Sequence, residues 1–530
     1  MTFRFFNKHR SFSRPAAPAQ QPVDSREIPS SIEEAIGVVK STLGESPDVI
    51  FRSLSIGDSG IRGSIVYIEG LTENSVINRQ LMESILSTRV GKAESAPSNL
   101  LDLLAANVIP ISPILRIGSL SALTDALLRG HAVLLVDGYS EALGMNAAGW
   151  PMRDVKEPTN ENEIRGPRES FIEDLSTNIA LIRRKINDVQ LRFDRMELGK
   201  ETKTQLCLAY MKGVAPDSLI EEVKSRIGQI RTRGILESNY IEEWIQDHPK
   251  SLFPQIDITE KPDRAAAMLL EGRVAILTDG TPFVLMAPTV FLQLFTTSGD
   301  YYLNFWFASF LRLLRLTGFL VSLVTPALYI AVTTMHQEMF PTPLALRIAG
   351  ARADVPFPAI VEALILETAF ELLREAGIRL PKVAGQAVSI VGALIIGQAA
   401  VEAGIVSPIM VIVVAITGIS SFSLPSYGLA SAVRLIRFPL MILASILGIP
   451  GITVALLALL TYLASMKSFG VPFLSPLSNT MYSDWKDTLI RLPLPVIGRG
   501  NHRFGKPKHG FSEFDPEESP HVQEHQQTGH

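Results

Sequence analysis

The chain has 530 residues, of which 47% are hydrophobic and 19% are charged, and its formal net charge at pH 7 is -4. This length exceeds one ordinary hydrophobic core, and a mean hydropathy of +0.23 indicates a soluble part joined to a membrane part. The slightly negative charge, without a basic stripe interleaved with aromatic residues, argues against a nucleic-acid-binding protein, and the single cysteine, Cys207, excludes a disulfide framework within the monomer.

The N-terminal residues are basic and then rich in proline, alanine and glutamine, in the sequence MTFRFFNKHRSFSRPAAPAQQPVD. They lack a continuous apolar stretch and therefore do not form a signal peptide. Disorder is expected to about Ser30, after which Ser31-Ile-Glu-Glu has the pattern that starts a capped helix. We expect the large N-terminal part to stay on the cytoplasmic side of a membrane.

Two sequence patterns recur in the N-terminal half. VYIEGL at residues 66–71 resembles AYMKGV at 209–214, and each reads as a strand, a glycine and then a helix. LLRGHAVLLVDG at 127–138 resembles LLEGRVAILTDG at 269–280, at almost the same separation along the chain. This predicts an internal duplication, with two α/β subdomains that each end in helix, glycine, strand, Asp-Gly turn and strand.

The Asp-Gly pairs that end the second pattern are Asp137-Gly138 and Asp279-Gly280. An aspartate at corresponding positions of two repeats suggests catalysis, but Asp-Gly is also a leading dipeptide of hairpin turns. We therefore interpret all four residues as structural turn motifs.

The region after residue 296 contains several apolar segments. The first, Phe307 to Met335, is long enough to span a membrane, with Arg312 and Arg315 placed to reach the cytoplasmic interface. Another segment runs over 405–424, and an amphipathic segment over 426–438 precedes an apolar run from Pro439 to Met466. This last run is either one span, with the C-terminus outside, or two segments broken at Gly448-Ile-Pro-Gly451, with the C-terminus inside.

The resulting fold class is α/β plus α-helical membrane, with duplicated cytoplasmic α/β subdomains followed by a bundle of five or six transmembrane helices. The predicted boundaries are 1–45 for a disordered basic N-terminal region, 46–150 for the first subdomain, 151–200 for a linker helix, 201–295 for the second subdomain, 296–466 for the membrane domain and 467–530 for a C-terminal tail that is disordered after about residue 499.

The stretch from Val355 to Ala403 reads as two apolar helices joined by a basic turn. Glu362 and Glu367 lie deep in the first helix, where a charge is costly and usually serves a function. Glu371 and Glu375 approach the end of that helix, where a carboxylate can simply reach the interface or pair with Arg374.

The second helix of this stretch carries small and polar residues. Gly385, Ser389 and Gly392 share one stripe, which lets another backbone approach closely. Gln398 and Glu402 are four residues apart on one face and within reach of a mutual hydrogen bond. Together with Glu362 and Glu367, these five residues are the candidates for a pore or gating role.

No sequence pattern supports an enzyme. The chain contains no Walker loop, no GxGxxG after a strand, no HExxH, no paired CxxC and no GxSxG. We predict no catalytic residues, no cofactor and no metal site.

Long parts of the chain resemble the GerA-type A subunit of bacterial spore-germination receptors. The similarity spans about Ser46 to Leu494. The matching strings are DGYSEAL (137–143), RGPRESF (165–171), NIALIRRKI (178–186), FPQI (253–256), TEKPDRAAAMLLEGRVAILTDGTPF (259–283), VPFPAIVEALILETAFELLREAGIRLP (355–381), GQAVSIVGALIIGQAAVEAGIVSP (385–408) and SFGVPFLSPL (468–477).

The resemblance implies an integral protein of the spore inner membrane, in contact with membrane lipids, whose large N-terminal domain lies on the spore-core side. It implies a transporter-like B subunit and a lipoprotein C subunit as partners, a homo-oligomer of this chain and no nucleic acid. Amino acids, sugars or nucleosides would trigger the complex, and the oligomer would act as a ligand-gated cation channel that releases ions at germination.

Three alternatives remain open. The family contains a sporulation-stage paralogue that amplifies the germination signal without its own nutrient. A secondary transporter would use the segments broken by glycine and proline as a midplane site. A signalling scaffold would bind a partner through the duplicated domain and use the membrane part only as an anchor.

Overall fold

The computed structural model describes residues 26–88, 100–111, 113–149, 161, 163, 165–379, 397–477 and 487–497. The chain divides into two compact units. The first unit contains one five-stranded sheet, and the second contains another five-stranded sheet together with the helices that follow it.

The first subdomain is an antiparallel sheet with helices on its two faces. The strand order is β1-β2-β4-β5-β3. The strands are β1 Val49–Ser55, β2 Arg62–Ile68, β3 Ile114–Ile117, β4 His131–Val136 and β5 Ala142–Asn146. The helices are α1 Ile32–Leu43, α2 Glu83–Leu86, α3 Leu100–Leu103 and α4 Leu120–Leu128, with π-helical turns at Val76–Met82 and Leu104–Val108.

Both faces of this sheet are buried because its central strands are apolar throughout. On β2, Val66 and Ile68 belong to one hydrophobic core, and Ile65 and Tyr67 belong to another. Successive side chains of a strand point to opposite faces, so one continuous apolar run supplies both cores.

The second subdomain repeats this arrangement with strand order β6-β7-β9-β10-β8. Its strands are β6 Leu191–Leu198, β7 Thr204–Met211, β8 Asp257–Thr259, β9 Val274–Thr278 and β10 Val284–Ala287. Its helices are α5 Leu175–Lys185, α6 Asp217–Gln229, α7 Ser238–Ile245 and α8 Pro262–Leu270. The predicted succession of helix, glycine, strand, Asp-Gly turn and strand occurs in both subdomains, and Cys207 is fully buried on β7.

Two predicted boundaries differ from the structure. Helix α1 contributes Ile32 and Val39 to the core of the first subdomain, so that subdomain begins before residue 46. Helix α5 contributes Ile179 to the core of the second subdomain, and β6 is an edge strand of its sheet, so residues 175–198 are not a linker. The apolar face of each element needs a partner, and the adjacent sheet supplies it.

A helical region follows the second sheet. Its elements are a short 3₁₀ helix Phe291–Phe295, α9 Gly299–Tyr302, α10 Phe305–Thr334, α11 Thr342–Ala351, α12 Ala359–Arg379, α13 Gly397–Glu402, α14 Pro408–Phe422, α15 Tyr427–Leu447 and α16 Ile449–Ser465. A two-stranded hairpin, β11 Lys467–Ser468 and β12 Val471–Pro472, and helix α17 Leu494–Ile497 complete the described chain.

Among the described residues, two helices are long and apolar enough to cross a membrane, namely α10 and α15, while α14 and α16 are shorter apolar helices. Helix α12 is long enough but carries five acidic or basic residues within 359–375. The expected bundle of five or six spans therefore stays a prediction.

The last apolar run differs from the sequence-based division. Helix α15 continues through Pro439, so the expected amphipathic segment and the beginning of the apolar run form one helix. The chain then turns at Gly448, which has a φ of 65°, a conformation that favours glycine. A Cβ on Gly451 would lie 2.5 Å from the carbonyl oxygen of Leu443. The break at 448–451 is thus a tight turn between two helices.

The segment after α16 returns to the second subdomain. The amide of Phe469 donates to Asp247 Oδ2 at 2.6 Å, and the Ser468 hydroxyl donates to the carbonyl of Gln255 at 2.7 Å. The amide of Phe291 also donates to the carbonyl of Phe473 at 2.8 Å. Residues 467–474 therefore lie on the same side of the helical region as the second subdomain.

Candidate functional site

The two Asp-Gly turns each support the first helix of a subdomain. Asp137 Oδ1 accepts the amide hydrogen of Ile32, the first residue of α1, at 3.2 Å. Asp279 Oδ1 accepts the amide hydrogen of Leu175, the first residue of α5, at 3.2 Å. The first amides of a helix have no partner within the helix. A carboxylate there satisfies one of them and interacts favourably with the positive end of the helix dipole.

The glycines of these turns have left-handed backbones, with φ of 89° at Gly138 and 88° at Gly280. A residue with a side chain would be strained there. At both turns the backbone geometry therefore accounts for the aspartate and for the glycine.

Glu362 lies at the beginning of α12 and is fully buried. Its Oε2 accepts the amide hydrogen of Ser407 at 2.9 Å, immediately before α14. Its Oε1 lies 3.1 Å from Nη2 of Arg352, in the segment between α11 and α12. The Glu362 carboxylate therefore links the segment before α12 to the residue that precedes α14.

Glu367 lies one and a half turns further along α12 and pairs with an arginine of α15. Its Oε2 is 2.5 Å from Nη1 of Arg437, and the two side chains are 1% and 2% exposed. Removing both charges from water is costly, and their attraction offsets this cost only while the pair stays together. The pair is the most deeply buried link between these two helices.

Glu371 forms a second, less buried contact between the same helices. It pairs with Arg374 on α12 and lies 3.3 Å from Nη1 of Arg434 on α15. Since Glu367 pairs with Arg437 and Glu371 with Arg434, the helices run in opposite directions. We call these two contacts, Glu367–Arg437 and Glu371–Arg434, the ladder.

Glu375 belongs to neither contact. It pairs with Arg379 at 2.6 Å on an exposed surface, with side-chain exposures of 57% and 78%. Such a pair contributes little to stability because solvent screens it. Glu375 and Arg379 form a pair at the end of the helix, whereas Arg374, the partner considered from the sequence, pairs with Glu371.

The remaining candidates fall on α13 and on the stretch before it. Gln398 Nε2 donates to Glu402 Oε1 at 2.9 Å, which is the predicted hydrogen bond, and the pair is exposed. Gly385, Ser389 and Gly392 lie outside the residues that the structure describes. The structure therefore brings Glu362 and Glu367 into ion pairs but does not bring Gln398 and Glu402 to them.

A second polar cluster lies where α10 begins, and sequence analysis missed it. Asp300 is fully buried, and its Oδ2 lies 3.1 Å from Arg312 Nε and 2.8 Å from Arg315 Nη1. Arg312 also contacts Asp487 Oδ1 at 2.8 Å. The expectation that Arg312 and Arg315 extend to an interface was wrong, because a buried carboxylate and the chain around 487 hold them inside.

Tyrosine and arginine side chains close this cluster. The Tyr301 hydroxyl donates to Asp487 Oδ2 at 2.5 Å, and Arg491 donates to the carbonyl of Asp300 at 2.8 Å. Burial raises the pKa of the Tyr301 hydroxyl, and the adjacent carboxylate of Asp487 raises it further. Tyr301 therefore stays a neutral hydrogen-bond donor throughout the physiological range.

The cluster is continuous with the second subdomain. Glu163 Oε1 accepts from the hydroxyl of Ser298 at 2.5 Å and from the amide of Gly299 at 2.6 Å, and its Oε2 lies 2.6 Å from the buried ammonium of Lys261. The Tyr302 hydroxyl donates to Asp263 at the start of α8. Polar contacts thus run from α8 through α9 to Arg312 on α10.

An aromatic group reinforces this junction. The ring of Phe291 packs against Phe253 at a centroid distance of 6.2 Å, against Phe319 of α10 at 5.7 Å and against Phe473 at 6.0 Å. Each ring comes from a different part of the chain. The second subdomain, α10 and the returning segment after α16 therefore share one core at this point.

The spacing of the charges in the ladder is visible in the sequence, but the pairing of the two helices is not. Glu367 and Glu371 are four residues apart, and Arg434 and Arg437 are three apart, and both spacings place charges on one helix face. When the acidic face of α12 meets the basic face of an antiparallel α15, each glutamate meets one arginine. No local pattern, however, indicates which apolar segments pack together.

Comparison with known proteins gives a consistent result. Residues 37–501 match the family described as Bacillus/Clostridium GerA spore germination protein. The chain is 44% identical to spore germination protein KA of Bacillus subtilis, over 88% of this chain and 85% of that protein. It is also 44% identical to the uncharacterized membrane protein YfkQ of Bacillus subtilis, over 89% of this chain and 91% of that protein.

A relative from another species and a solved structure are also similar. Spore germination protein GerLA of Bacillus cereus is 36% identical, over 89% of this chain and 95% of that protein. The N-terminal domain of the A subunit of the Bacillus megaterium spore germinant receptor GerK3 matches 50% of this chain and 98% of its own, with 31% identity and a TM-score of 0.40.

Proposed function

This chain belongs to the Bacillus/Clostridium GerA spore germination protein family, and from that premise we propose that it is the membrane A subunit of a nutrient-responsive germinant receptor. The receptor resides in the spore inner membrane with its N-terminal subdomains on the core side. It works with a transporter-like B subunit and a lipoprotein C subunit. The chain oligomerises around a path for cations, which leave the core when germination begins.

The junction between the second subdomain and α10 is the observation that carries this proposal. A receptor must convert a change in one part into a change in its membrane helices. Asp300 joins Arg312 and Arg315 of α10 to the segment that Glu163 and Asp263 bind. A buried charged link transmits displacement because breaking it leaves an unpaired charge.

The carboxylates of α12 support a cation path. Acidic side chains facing a pore favour cations over anions, and Glu362, Glu367 and Asp300 are the most deeply buried acids of the described helices. The second subdomain and residues 467–474 lie on one side of the helical region, which fits an even number of crossings.

The test measures ion flux through the full-length protein. The purified chain is reconstituted with its B and C subunits into vesicles loaded with K⁺, and release is followed with a K⁺ electrode after addition of an amino acid, a sugar or a nucleoside. We expect nutrient-triggered release that falls about tenfold in E362Q and in E367Q, since each variant removes one carboxylate from the path.

Three outcomes would contradict the proposal. Absence of K⁺ release under every nutrient would remove the channel role, and release that is unchanged in both glutamine variants would remove Glu362 and Glu367 from the path. A monomeric chain in detergent would favour the scaffold or transporter alternatives over a pore formed by several copies.

A further inference from the structure

Two ion pairs neutralise the carboxylates that the proposed path needs. In the structure Glu367 lies 2.5 Å from Arg437 and Glu362 lies 3.1 Å from Arg352. Each deep acid therefore has a positive partner from a different segment. A carboxylate so paired presents no net charge to a passing cation, and a path lined by these two residues is electrostatically closed.

The buried pair of the ladder is held by a single contact. Oε1 of Glu367 and both Nε and Nη2 of Arg437 are buried without a hydrogen-bond partner among the described residues. A guanidinium has five N–H donors and a carboxylate has about four acceptor positions. A buried pair with unsatisfied atoms is held weakly in comparison with a fully bonded one, because each unbonded group keeps its desolvation cost.

A weak point of α15 lies beside this pair. Pro439, two residues after Arg437, lies inside the helix. Proline has no amide hydrogen, so the carbonyl of Leu435 lacks its helical donor, and the ring favours a bend at this point. A bend of α15 here would displace Arg437 from Glu367 while leaving both helices intact.

From these observations we propose that the Glu367–Arg437 pair is the latch of the closed state, and that its separation makes the Glu367 carboxylate available to cations. This inference rests on the proposed function, because it assigns the regulation of the same path. Arg437 acts as a positioning residue that holds the acid rather than as part of the path itself. The Glu371–Arg434 contact, which is nearer to solvent, supports the latch.

The experiment uses the same reconstituted complex and follows K⁺ release without any nutrient. R437Q leaves Glu367 without its counter-ion, and we expect basal release to rise about tenfold over the unmodified protein, as a shift in the population of two states would produce. The exchange E367R/R437E keeps opposite charges at the two positions, and basal release is expected to return to within about twofold of the unmodified value.

A matched control breaks an arginine–glutamate pair on α12, the helix that carries Glu367. R379Q removes the partner of Glu375 on an exposed surface, and basal release should stay at the unmodified level. R437K keeps a positive charge but replaces the fork of donors with one ammonium. Its basal release should lie between those of R437Q and the unmodified protein.

The results separate the two proposals. Nutrient-triggered release in the unmodified protein together with unchanged basal release in R437Q and R437K would overturn the latch and leave the channel in place. Failure of E367R/R437E to lower the release seen in R437Q would likewise overturn the latch. If R437Q does not enter the membrane, the test rests on R437K. Basal K⁺ release from R437K equal to that of the unmodified protein would then contradict the inference. Absence of release from every protein would instead reject the proposed function.

Discussion

Glu242 and Glu367 are both buried acids, and they differ in their neighbours. Glu367 has a guanidinium at 2.5 Å. Glu242, on α7 of the second subdomain, is 6% exposed and accepts one hydrogen bond from Gln246 at 3.0 Å. Burial raises the pKa of Glu242 to about 7; the Gln246 hydrogen bond opposes this, and the nearby acids Glu237 and Asp257 add to it.

We predict that replacing Glu242 with glutamine stabilises the protein at alkaline pH. The folded state holds a proton on Glu242 that the unfolded state releases above its ordinary pKa of about 4.3. The contribution of Glu242 to stability is therefore unaffected below that value, falls as the pH rises towards about 7, and stays low above it. A neutral amide avoids this loss.

Thermal unfolding of the full-length chain in detergent at pH 5 and pH 8 tests this. The Tm of E242Q should exceed that of the unmodified protein by a few degrees at pH 8, since 1 kcal/mol corresponds to roughly 2–4 °C for domains of 150–250 residues. The difference should be smaller at pH 5. An equal difference at both pH values would show that Glu242 is ionised in the folded state.

Helix α10 contacts both the segments that follow the second sheet and the C-terminal segment around Asp487. Its first turns carry Arg312, whose guanidinium contacts Asp300 and Asp487 and lies 5.5 Å from the centre of the Tyr301 ring. Its middle contributes Phe319 to the aromatic group around Phe291. We therefore expect a displacement of α9 to reach α10 through the ion pair of Asp300 with Arg312.

We predict that R312M strongly destabilises this junction. Methionine fills part of the volume but leaves the buried carboxylate of Asp300 with Arg315 as its one remaining cation among the residues that the structure describes. Removing one partner of a buried ion pair costs about 3–5 kcal/mol, and the remaining arginine offsets part of that. R233M, which removes an arginine that is 85% exposed and pairs with Glu201, should change stability by less than about 0.5 kcal/mol.

The measurement compares the Tm of the two variants in detergent with that of the unmodified chain. In the vesicle assay R312M should also lose nutrient-triggered K⁺ release even at temperatures where it stays folded, because α10 no longer follows α9. Full triggered release in R312M would mean that the signal reaches the helices by another route.

Local patterns predict elements better than they predict partners. The duplicated strand and turn patterns gave the central strands of both sheets, because apolar runs between glycines are typical of buried strands. The edge strand β6 was missed because LRFDRMEL mixes charged and apolar residues, as an edge exposed on one face requires. Pro439 suggested a helix boundary, but α15 continues through it. Proline is tolerated within membrane helices because neighbouring helices and side chains can satisfy the backbone group that loses its hydrogen bond.

At the candidate site, too, the sequence indicated the charged residues of one helix but not the residues with which they pair. Glu362 and Glu367 were identified because a charge in an apolar helix is conspicuous. Their partners Arg352 and Arg437 were not, since they come from segments that meet only in three dimensions. Asp300 was missed for a different reason: in the sequence SGDYY it reads as part of a polar turn, and only folding buries it beneath α10.

The course of the chain predicts on which side each segment lies. Helix α10 has 30 residues and therefore spans about 45 Å, so the loop after it lies far from the second subdomain. The turn at Gly448 is on that far side, because a Cβ there would lie 2.5 Å from the His336 ring. Residues 467–474 return to the second subdomain.

Cysteine labelling tests this arrangement, since Cys207 is fully buried and can be replaced by serine. Single cysteines are placed at Met339, Leu236 and Leu477, which are 63%, 72% and 44% exposed. With a membrane-impermeant maleimide on intact cells that produce the protein, M339C should react, and L236C and L477C should react only after permeabilisation. Labelling of L477C together with M339C would show that α15 and α16 form one crossing and that the C-terminal segment lies outside.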